Sequence, residues 1–163
     1  MRASALEIFP RFYDAAQAAS AVVYVARIDP LLLEDGTFYV HESGGEIVSC
    51  GGWSRRALLY AGSGNADDDA RLLDPATEPA RIRAMFVHGG WTRRGLGREI
   101  LEASERAAAA EGFRTLTLMA TRPGVPLYAA CGFVAVRLEE LTLVDGTRLD
   151  GTLMERPVRP TFT

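Results

Sequence analysis

The stretch M-F-V-H-G-G-W-T-R-R-G-L-G-R-E-I, residues 85–100, constrains the fold more than any other part of the chain. Four glycines and two arginines fall within residues 89–97, and a third arginine follows at position 98. β-Prone residues precede the glycines and an amphipathic pattern follows them, which predicts a strand, a glycine turn and a helix in immediate succession. Free backbone N–H groups at such a turn meet the positive end of the helix dipole. The stretch therefore predicts an anion-binding turn at the end of a strand.

The glycines also allow a purely structural interpretation. Gly89 and Gly90 are typical of a tight turn, and Gly95 and Gly97 would let the helix pack closely on a strand. Packing alone gives no reason for arginines among the glycines at a helix start. Their presence favours an anion site.

The rest of the chain predicts a mixed α/β domain rather than a doubly wound one. Helical spacing of apolar residues indicates one or two helices within residues 5–25, a long helix from Gly95 to Glu111 and a short one over 126–131. Glu105 falls on the predicted water-facing side of the long helix. β-Rich segments predict a hairpin over residues 37–54 and strands over 82–87, 116–120, 133–144 and 147–156. Residues 61–80 lack regular patterning, and we expect a long loop there.

Length and composition indicate one globular domain over residues 1–163. Hydrophobic residues make up 48% of the chain and charged residues 24%, which are ordinary globular values. The net charge of −3 argues against general nucleic-acid binding. No apolar run approaches the roughly 20 residues that span a bilayer, and no signal peptide is evident. Cys50 and Cys131 lack metal-ligand spacing, so we expect reduced thiols, a cytoplasmic protein and no metal.

Two common phosphate-binding motifs do not fit the glycine turn. A P-loop requires Lys and Ser or Thr after its last glycine, but Leu96 and Gly97 follow Gly95. A dinucleotide-binding fingerprint opens the first strand of a parallel unit, whereas this turn lies past the middle of the chain. A nucleotide-binding switch is therefore disfavoured.

The turn instead resembles that of the GCN5-related N-acetyltransferase (GNAT) superfamily. The pyrophosphate turn of that superfamily reads [QR]-x-x-G-x-[GA], and this chain has T-R-R-G-L-G at residues 92–97. A second signature, a short helix with a tyrosine that ends in glycine and an aromatic residue, matches L-Y-A-A-C-G-F at 127–133. The resemblance covers roughly residues 37–157. It implies an α+β acyl-CoA N-acyltransferase fold with a central, mostly antiparallel sheet of about six strands flanked by helices.

The resemblance also implies an activity and its site residues. Acetyl-CoA would be the co-substrate, with its pyrophosphate on the backbone amides from Arg93 to Arg98, a segment that comprises Arg93, Arg94, Gly95, Leu96, Gly97 and Arg98. The backbone of Phe86 and Val87 would pair with the pantetheine arm, and the Val87 amide would stabilise the oxyanion. Tyr128 would donate a proton to the departing thiolate. The alternative for Tyr128 is a core tyrosine whose hydroxyl bonds to a carbonyl.

The chain departs from the superfamily pattern at several positions. Thr92 replaces the expected Gln or Arg, and Thr121 and Arg122 stand where an asparagine usually contacts the cofactor. The amino-terminal strand that opens the superfamily fold has no clear counterpart. We therefore expect it to be shortened or absent.

The general base and the acceptor stay open. His88 directly follows the strand that would bind the cofactor, but its interpretation as a turn residue is favoured over a catalytic one. Glu42 and Glu46 are weaker candidates, and a water chain could serve instead. The acceptor would be a primary amine of a small molecule or peptide. Three kinds of residue are candidates to contact it: acidic residues Asp67, Asp68 and Asp69, aromatic residues Phe38, Tyr39 and Trp53, and arginines Arg81 and Arg83. For the acidic residues a solvated loop is the favoured interpretation, and for the aromatic residues a core position.

Two further expectations concern assembly and role. The oligomeric state stays open, and the frequency of dimers in the superfamily makes a homodimer one alternative; neither a membrane nor nucleic acid is expected as a partner. A non-catalytic acyl-CoA-binding or regulatory module with the same fold is the alternative to an enzyme.

Overall fold

Helices open the chain, as the apolar spacing predicts. The computed structural model describes residues 1–60 and 70–160. Helix α1 spans Arg2–Ile8, a 3-10 turn over Phe9–Arg11 follows at Pro10, and α2 spans Ala15–Tyr24. The Asp14 side chain caps α2 in a reciprocal capping box with Gln17. Short helix α3 covers Pro30–Glu34.

A six-stranded sheet forms the centre of the fold. Its strands are β1 (Phe38–Ser43), β2 (Glu46–Ser54), β3 (Ala80–Val87), β4 (Thr115–Thr121), β5 (Val134–Thr142) and β6 (Arg148–Pro157). They lie in the order β1-β2-β3-β4-β6-β5, and every pairing except β3 with β4 is antiparallel. The described part of the chain has no strand before Phe38, so the strand that opens the superfamily fold is absent there.

Two further helices follow strands β3 and β4 and flank the sheet. Helix α4 spans Leu96–Ala110 and crosses over between the parallel strands β3 and β4, while α5 covers Val125–Ala130 just after β4. A 3-10 turn, Gly89–Trp91, links β3 to the start of α4, and another, Arg122–Gly124, links β4 to α5. Both helices therefore begin at the same ends of β3 and β4.

One prediction for α4 is wrong. Glu105 does not face water but is 7% exposed and pairs with Arg156 on β6, with oxygen–nitrogen distances of 2.6 and 2.8 Å. The Arg159 amide also donates to Glu105. Burial alone would raise the pKa of this carboxyl, but the hydrogen bonds from Arg156 and Arg159 lower it overall. The pair, 51 residues apart in sequence, fastens α4 to the sheet.

The sequence predicts that Ile82, Ala84 and Phe86 alternate with Arg83, Met85 and Val87 across β3, but the strand does not alternate regularly. The register with β2 shifts between Cys50 and Gly52, and Ala84 adopts a positive φ of 56°. This geometry is that of a β-bulge. Gly51 lies opposite the bulge, where a Cβ atom would collide with the Met85 sulfur. The bulge bends β3 near the middle of its length.

Strands β3 and β4 pair only at one end. Their register comprises Ala80 with Leu116 and Arg81 with Thr117, and no further pair follows. Past Arg81 the two strands diverge, so the inner edge of β3 from residue 82 onward is not covered by β4. Parallel strands in a closed sheet would hydrogen-bond along their whole length. The divergence opens a cleft in the sheet.

Buried side chains form two clusters. The larger one centres on Trp53, Leu101, Leu116 and Phe133, and the smaller one joins Phe9 and Tyr13 of the amino-terminal segment to Leu141 and Leu149. Cys50 and Cys131 are both buried and free. Across residues 1–60 and 70–160 no helix is both long enough and apolar enough to cross a membrane.

Candidate active site

The divergence of β3 from β4 produces a cavity of about 730 Å³. Its walls come from α1, β3, the glycine turn, the start of α4, the end of β4 and α5. The turn before α4 lies at the open end of the divergence, because Val87 ends β3 there. The paired residues Ala80 and Arg81 mark the closed end. We refer to this cavity as the cleft.

The glycine turn has the backbone shape of an anion site. Arg93 and Gly95 both have positive φ, 61° and 85°, and Gly95 caps the N-terminus of α4. Where positive and negative φ values alternate along consecutive residues, several backbone N–H groups point toward one position. A Cβ atom at Gly95 would meet nothing within 4 Å, so the backbone there faces open space. The first turn of α4 adds the positive end of its dipole.

Gly97 has a different task from Gly95. A Cβ atom at Gly97 would lie 3.1 Å from Leu127 and 3.7 Å from a Val87 methyl group. The structural interpretation, close packing of helix and strand, therefore holds for Gly97. It lets the start of α4 approach both β3 and α5, and so fixes the width of the cleft at this end.

The three arginines of the turn are not equivalent. Arg93 and Arg98 line the cleft, whereas the Arg94 guanidinium lies over the Trp91 ring, 4.6 Å from its centroid. All three are exposed. Side-chain charge is thus directed to the cleft at two positions, while Arg94 offers its backbone amide.

Val87 presents its backbone to the cleft. His88 donates its amide to the Val48 carbonyl at 2.8 Å, so the alternation of the ladder turns the Val87 N–H and C=O away from β2. The Ser4 hydroxyl donates to that Val87 carbonyl at 2.8 Å, which confirms the direction. Phe86 pairs with Cys50 of β2, and it lines the cleft beside Phe9, whose ring centroid is 6.5 Å away. Of these two residues, Val87 has the backbone groups that are directed away from β2.

Tyr128 lines the cleft from α5 and is 8% exposed. Its ring packs edge-on against Phe133, with centroids 5.9 Å apart, and Gly124 leaves room for it. The ring belongs to the larger buried cluster, as a core tyrosine would, but its hydroxyl has no hydrogen-bond partner among the residues that the structure describes. Burial, and to a lesser degree Cys131, raises the pKa of Tyr128 above its usual value. The phenol is therefore protonated at neutral pH.

The candidate bases lie elsewhere. His88 is exposed and accepts the Gly90 amide at 3.4 Å on Nδ1, as a turn residue does. Glu42 and Glu46 are exposed on the β1–β2 hairpin. None of the three lines the cleft. Within residues 1–60 and 70–160, in fact, no Asp, Glu, Lys or His lines it.

Of the described candidates for contact with the acceptor, only some lie at the cleft. Trp53 is fully buried against Phe113, and neither it nor Phe38 nor Tyr39 lines the cleft. Arg81 donates to the Ala57 and Pro79 carbonyls. Arg83 does line the cleft, but it pairs with Asp29 at 3.3 Å. Asp67, Asp68 and Asp69 lie outside the described residues.

Several residues of the cleft were not foreseen from the sequence. Ser4, Arg27, Tyr60 and Met119 all contribute to its walls. They come from the amino-terminal helices, from the segment before residue 61 and from β4. No local motif marks them, because only the tertiary fold brings these segments to β3.

The chain is similar to known proteins in both sequence and structure. The sequence profile of the acetyltransferase (GNAT) family matches residues 3–133. A search of curated proteins gave no match. A GCN5-related N-acetyltransferase from Rhodopseudomonas palustris superposes with a TM-score of 0.70 at 19% identity, over 96% of this chain and 84% of that one.

Two further solved structures share the fold and contain the expected kind of ligand. YncA from Salmonella typhimurium, solved with its cofactor acetyl-CoA, has a TM-score of 0.57 at 17% identity, over 82% of this chain and 72% of its own. The PaiA N-acetyltransferase from Thermoplasma acidophilum, in complex with coenzyme A, has 0.59 at 10%, over 96% and 87%. At these identities the likeness shows the fold. Together with the profile match over most of the chain, it establishes that this protein belongs to the GNAT acetyltransferase family.

Proposed function

We propose that this protein transfers an acetyl group from acetyl-CoA to a primary amine of a small molecule or peptide. The observation that carries the proposal is the divergence of β3 from β4 next to the glycine turn. An uncovered strand edge, a turn with the backbone shape of an anion site and a phenol without a hydrogen-bond partner among residues 1–60 and 70–160 all lie at this cavity. Each of these features suits a different part of an acyl-CoA.

The residues present fit the co-substrate along its length. The amides from Arg93 to Arg98, with the Arg93 and Arg98 side chains, would hold the pyrophosphate. The Val87 N–H, directed away from β2, would bond the pantetheine arm or the acetyl carbonyl, in the manner of an added strand. Tyr128 would lie at the sulfur. Acetyl-CoA supplies a thioester, whose carbonyl carbon accepts a nucleophile.

Transfer then needs three contributions from this chain. The cleft orients a neutral amine so that its nitrogen forms a bond to the thioester carbon. The Val87 amide stabilises the negative charge that develops on the carbonyl oxygen. When the carbon–sulfur bond breaks, Tyr128 donates its proton to the thiolate, and the proton lost by the nitrogen returns to Tyr128 through solvent. The products are an N-acetylated amine and free coenzyme A.

A non-catalytic acyl-CoA-binding module is the second candidate. The absence of Asp, Glu and His from the described cleft walls favours it, because no side chain there would take the proton from an ammonium acceptor. Direct attack by an amine that is already neutral meets this objection without a protein base. The two candidates therefore differ in turnover and not in binding.

The test is thiol release from acetyl-CoA in the presence of amino acids, polyamines, aminoglycosides and peptides. An enzyme releases free thiol in proportion to added amine and yields the acetylated product by mass. A binding module is stabilised thermally by acetyl-CoA but releases thiol with none of the amines. That second outcome would exclude the transferase proposal.

A further inference from the structure

The end of the cleft farthest from the glycine turn differs from the other end in its side chains and their charges. Resting on the proposed function, we infer that the acceptor amine carries a carboxylate and that Arg27 binds this group. Amino acids and related amino carboxylates are the compounds of this class. The inference depends on where Arg27 lies, on the charges around it and on what those charges exclude.

Arg83 marks the end of the cleft that lies farthest from the glycine turn. It stands on β3 next to the closed end of the divergence, and Val87 lies four positions further along the strand, at most roughly 13 Å away. Its guanidinium pairs with Asp29 and donates to the Leu58 carbonyl at 3.1 Å. These contacts draw two segments, residues 25–29 and 58–60, onto the same end of the cleft.

Both segments contribute to the walls. Val25, Arg27, Leu59 and Tyr60 line the cleft here, opposite the end that we assign to the pyrophosphate. Arg27 follows α2 in a tight turn, in which its amide donates to the Val25 carbonyl at 2.9 Å. The wall thus combines apolar surface with one guanidinium.

The charges that line the cleft are all positive in the part of the chain that the structure describes. They belong to Arg27, Arg83, Arg93 and Arg98. Arg93 and Arg98 lie at the turn, and Asp29 offsets the charge of Arg83. Arg27 is exposed and makes no ion pair or side-chain hydrogen bond with any described residue. It is therefore the cation at the acceptor end whose charge no carboxylate of the described chain offsets.

This arrangement discriminates between classes of amine. Polyamines and aminoglycosides carry several positive charges, and a site for them requires carboxylates to offset those charges. Arginine presents a planar set of donors that matches a carboxylate with two parallel hydrogen bonds. An amino carboxylate would place its negative group on Arg27 and its amine toward the thioester, while Val25 and Leu59 contact its apolar part.

Matched acceptor pairs test the inference directly. Thiol release is measured for leucine and leucinamide and for phenylalanine and phenylalaninamide, with each rate divided by the fraction of neutral amine at the assay pH. We expect kcat/KM to favour the carboxylates by about tenfold or more, the effect of one charge-assisted hydrogen-bonded pair. Putrescine, a diamine, serves as the cationic comparison and should react more slowly than either.

The Arg27→Gln variant should lose this preference through a higher KM for the carboxylates, with little change for the amides. Arg27→Lys, which keeps the charge, should retain part of it. Arg106→Gln is the matched control, because Arg106 is exposed on α4 and does not line the cleft. Its preference should equal that of the wild type.

The outcomes separate the inference from the function on which it rests. The assignment of Arg27 is overturned if the amides or putrescine react as fast as the carboxylates or faster, or if Arg27→Gln keeps the wild-type preference. Either result leaves the acetyl-transfer proposal intact. If no amine of any class supports thiol release, the transferase proposal itself is overturned, and the acceptor inference with it.

Discussion

The Ser4 hydroxyl donates a 2.8 Å hydrogen bond to the Val87 carbonyl and so fastens α1 to the last residue of β3. Ser4 is 4% exposed, and both residues line the cleft. Two segments that are 83 residues apart in sequence therefore share one wall of the site. Because the N–H and C=O of a strand residue point the same way, this bond also orients the Val87 amide.

Loss of this bond should affect both stability and the co-substrate. Ser4→Ala leaves the Val87 carbonyl without its partner, which should lower the free energy of unfolding by about 1 kcal/mol. KM for acetyl-CoA should rise a few-fold as the end of β3 loosens. Ser43→Ala, at an exposed position on β1, is the control and should change neither quantity. Denaturant unfolding and steady-state kinetics measure the two effects, and an unaltered KM would show that Ser4 does not position Val87.

Tyr128→Phe separates a catalytic role from a structural one. The Tyr128 hydroxyl has no partner in the described structure, so its removal should not lower the melting temperature. We expect kcat to fall by about 10²-fold, while the Kd for acetyl-CoA changes little. Tyr39→Phe, outside the cleft, should behave as the wild type. Full activity in Tyr128→Phe would refute the assignment of Tyr128 as proton donor.

The arginines of the turn should differ in their effects on binding. Arg93→Gln and Arg98→Gln each remove a charge that lines the cleft, and each should weaken coenzyme A binding by about tenfold. Arg94→Gln should weaken it much less, because the Arg94 side chain lies on Trp91 and only its backbone amide would contact the ligand. Isothermal titration calorimetry at low salt measures all three. Equal losses in the three variants would contradict this division.

The pH dependence should follow the acceptor and not the protein. Because the described cleft walls hold no carboxylate or histidine, kcat/KM should rise with pH up to the pKa of the acceptor amine. That limit is about 8 for the α-amino group of a peptide and about 10 for an ε-amino group. Burial raises the pKa of Tyr128, so the proton donor stays protonated across this range and causes no loss of rate within it. A common inflection between about pH 6 and 7 for both acceptors would instead reveal a base on the protein.

The sequence predicts the turn well because its information is local. Arginines among glycines, followed at once by apolar residues at helical spacing, predicted the helix start at Gly95, and the structure places its cap there. Predictions failed where residues distant in sequence determine the local structure or the burial of a side chain. The β3 bulge at Ala84 depends on Gly51 in the neighbouring strand, and Glu105 is buried because Arg156, on another strand, pairs with it. An amphipathic pattern alone assigns such a glutamate to the water-facing side.

The acceptor end was the least predictable part of the site for the same reason. Arg27 and Tyr60 have no motif around them, and the segments on which they lie are bound by Arg83, which is distant from both in sequence. Trp53, a candidate for the pocket wall, is a core residue, which is the position that strand aromatics usually take. Contacts of this kind exist only once the chain has folded.

A crystal structure of the protein with coenzyme A tests the central claim most directly. The account predicts the pyrophosphate on the amides from Arg93 to Arg98, the pantetheine arm along the inner edge of β3, and the coenzyme A sulfur within about 3.5 Å of the Tyr128 hydroxyl oxygen. Coenzyme A bound outside the divergence of β3 and β4, or with its sulfur remote from Tyr128, would contradict it.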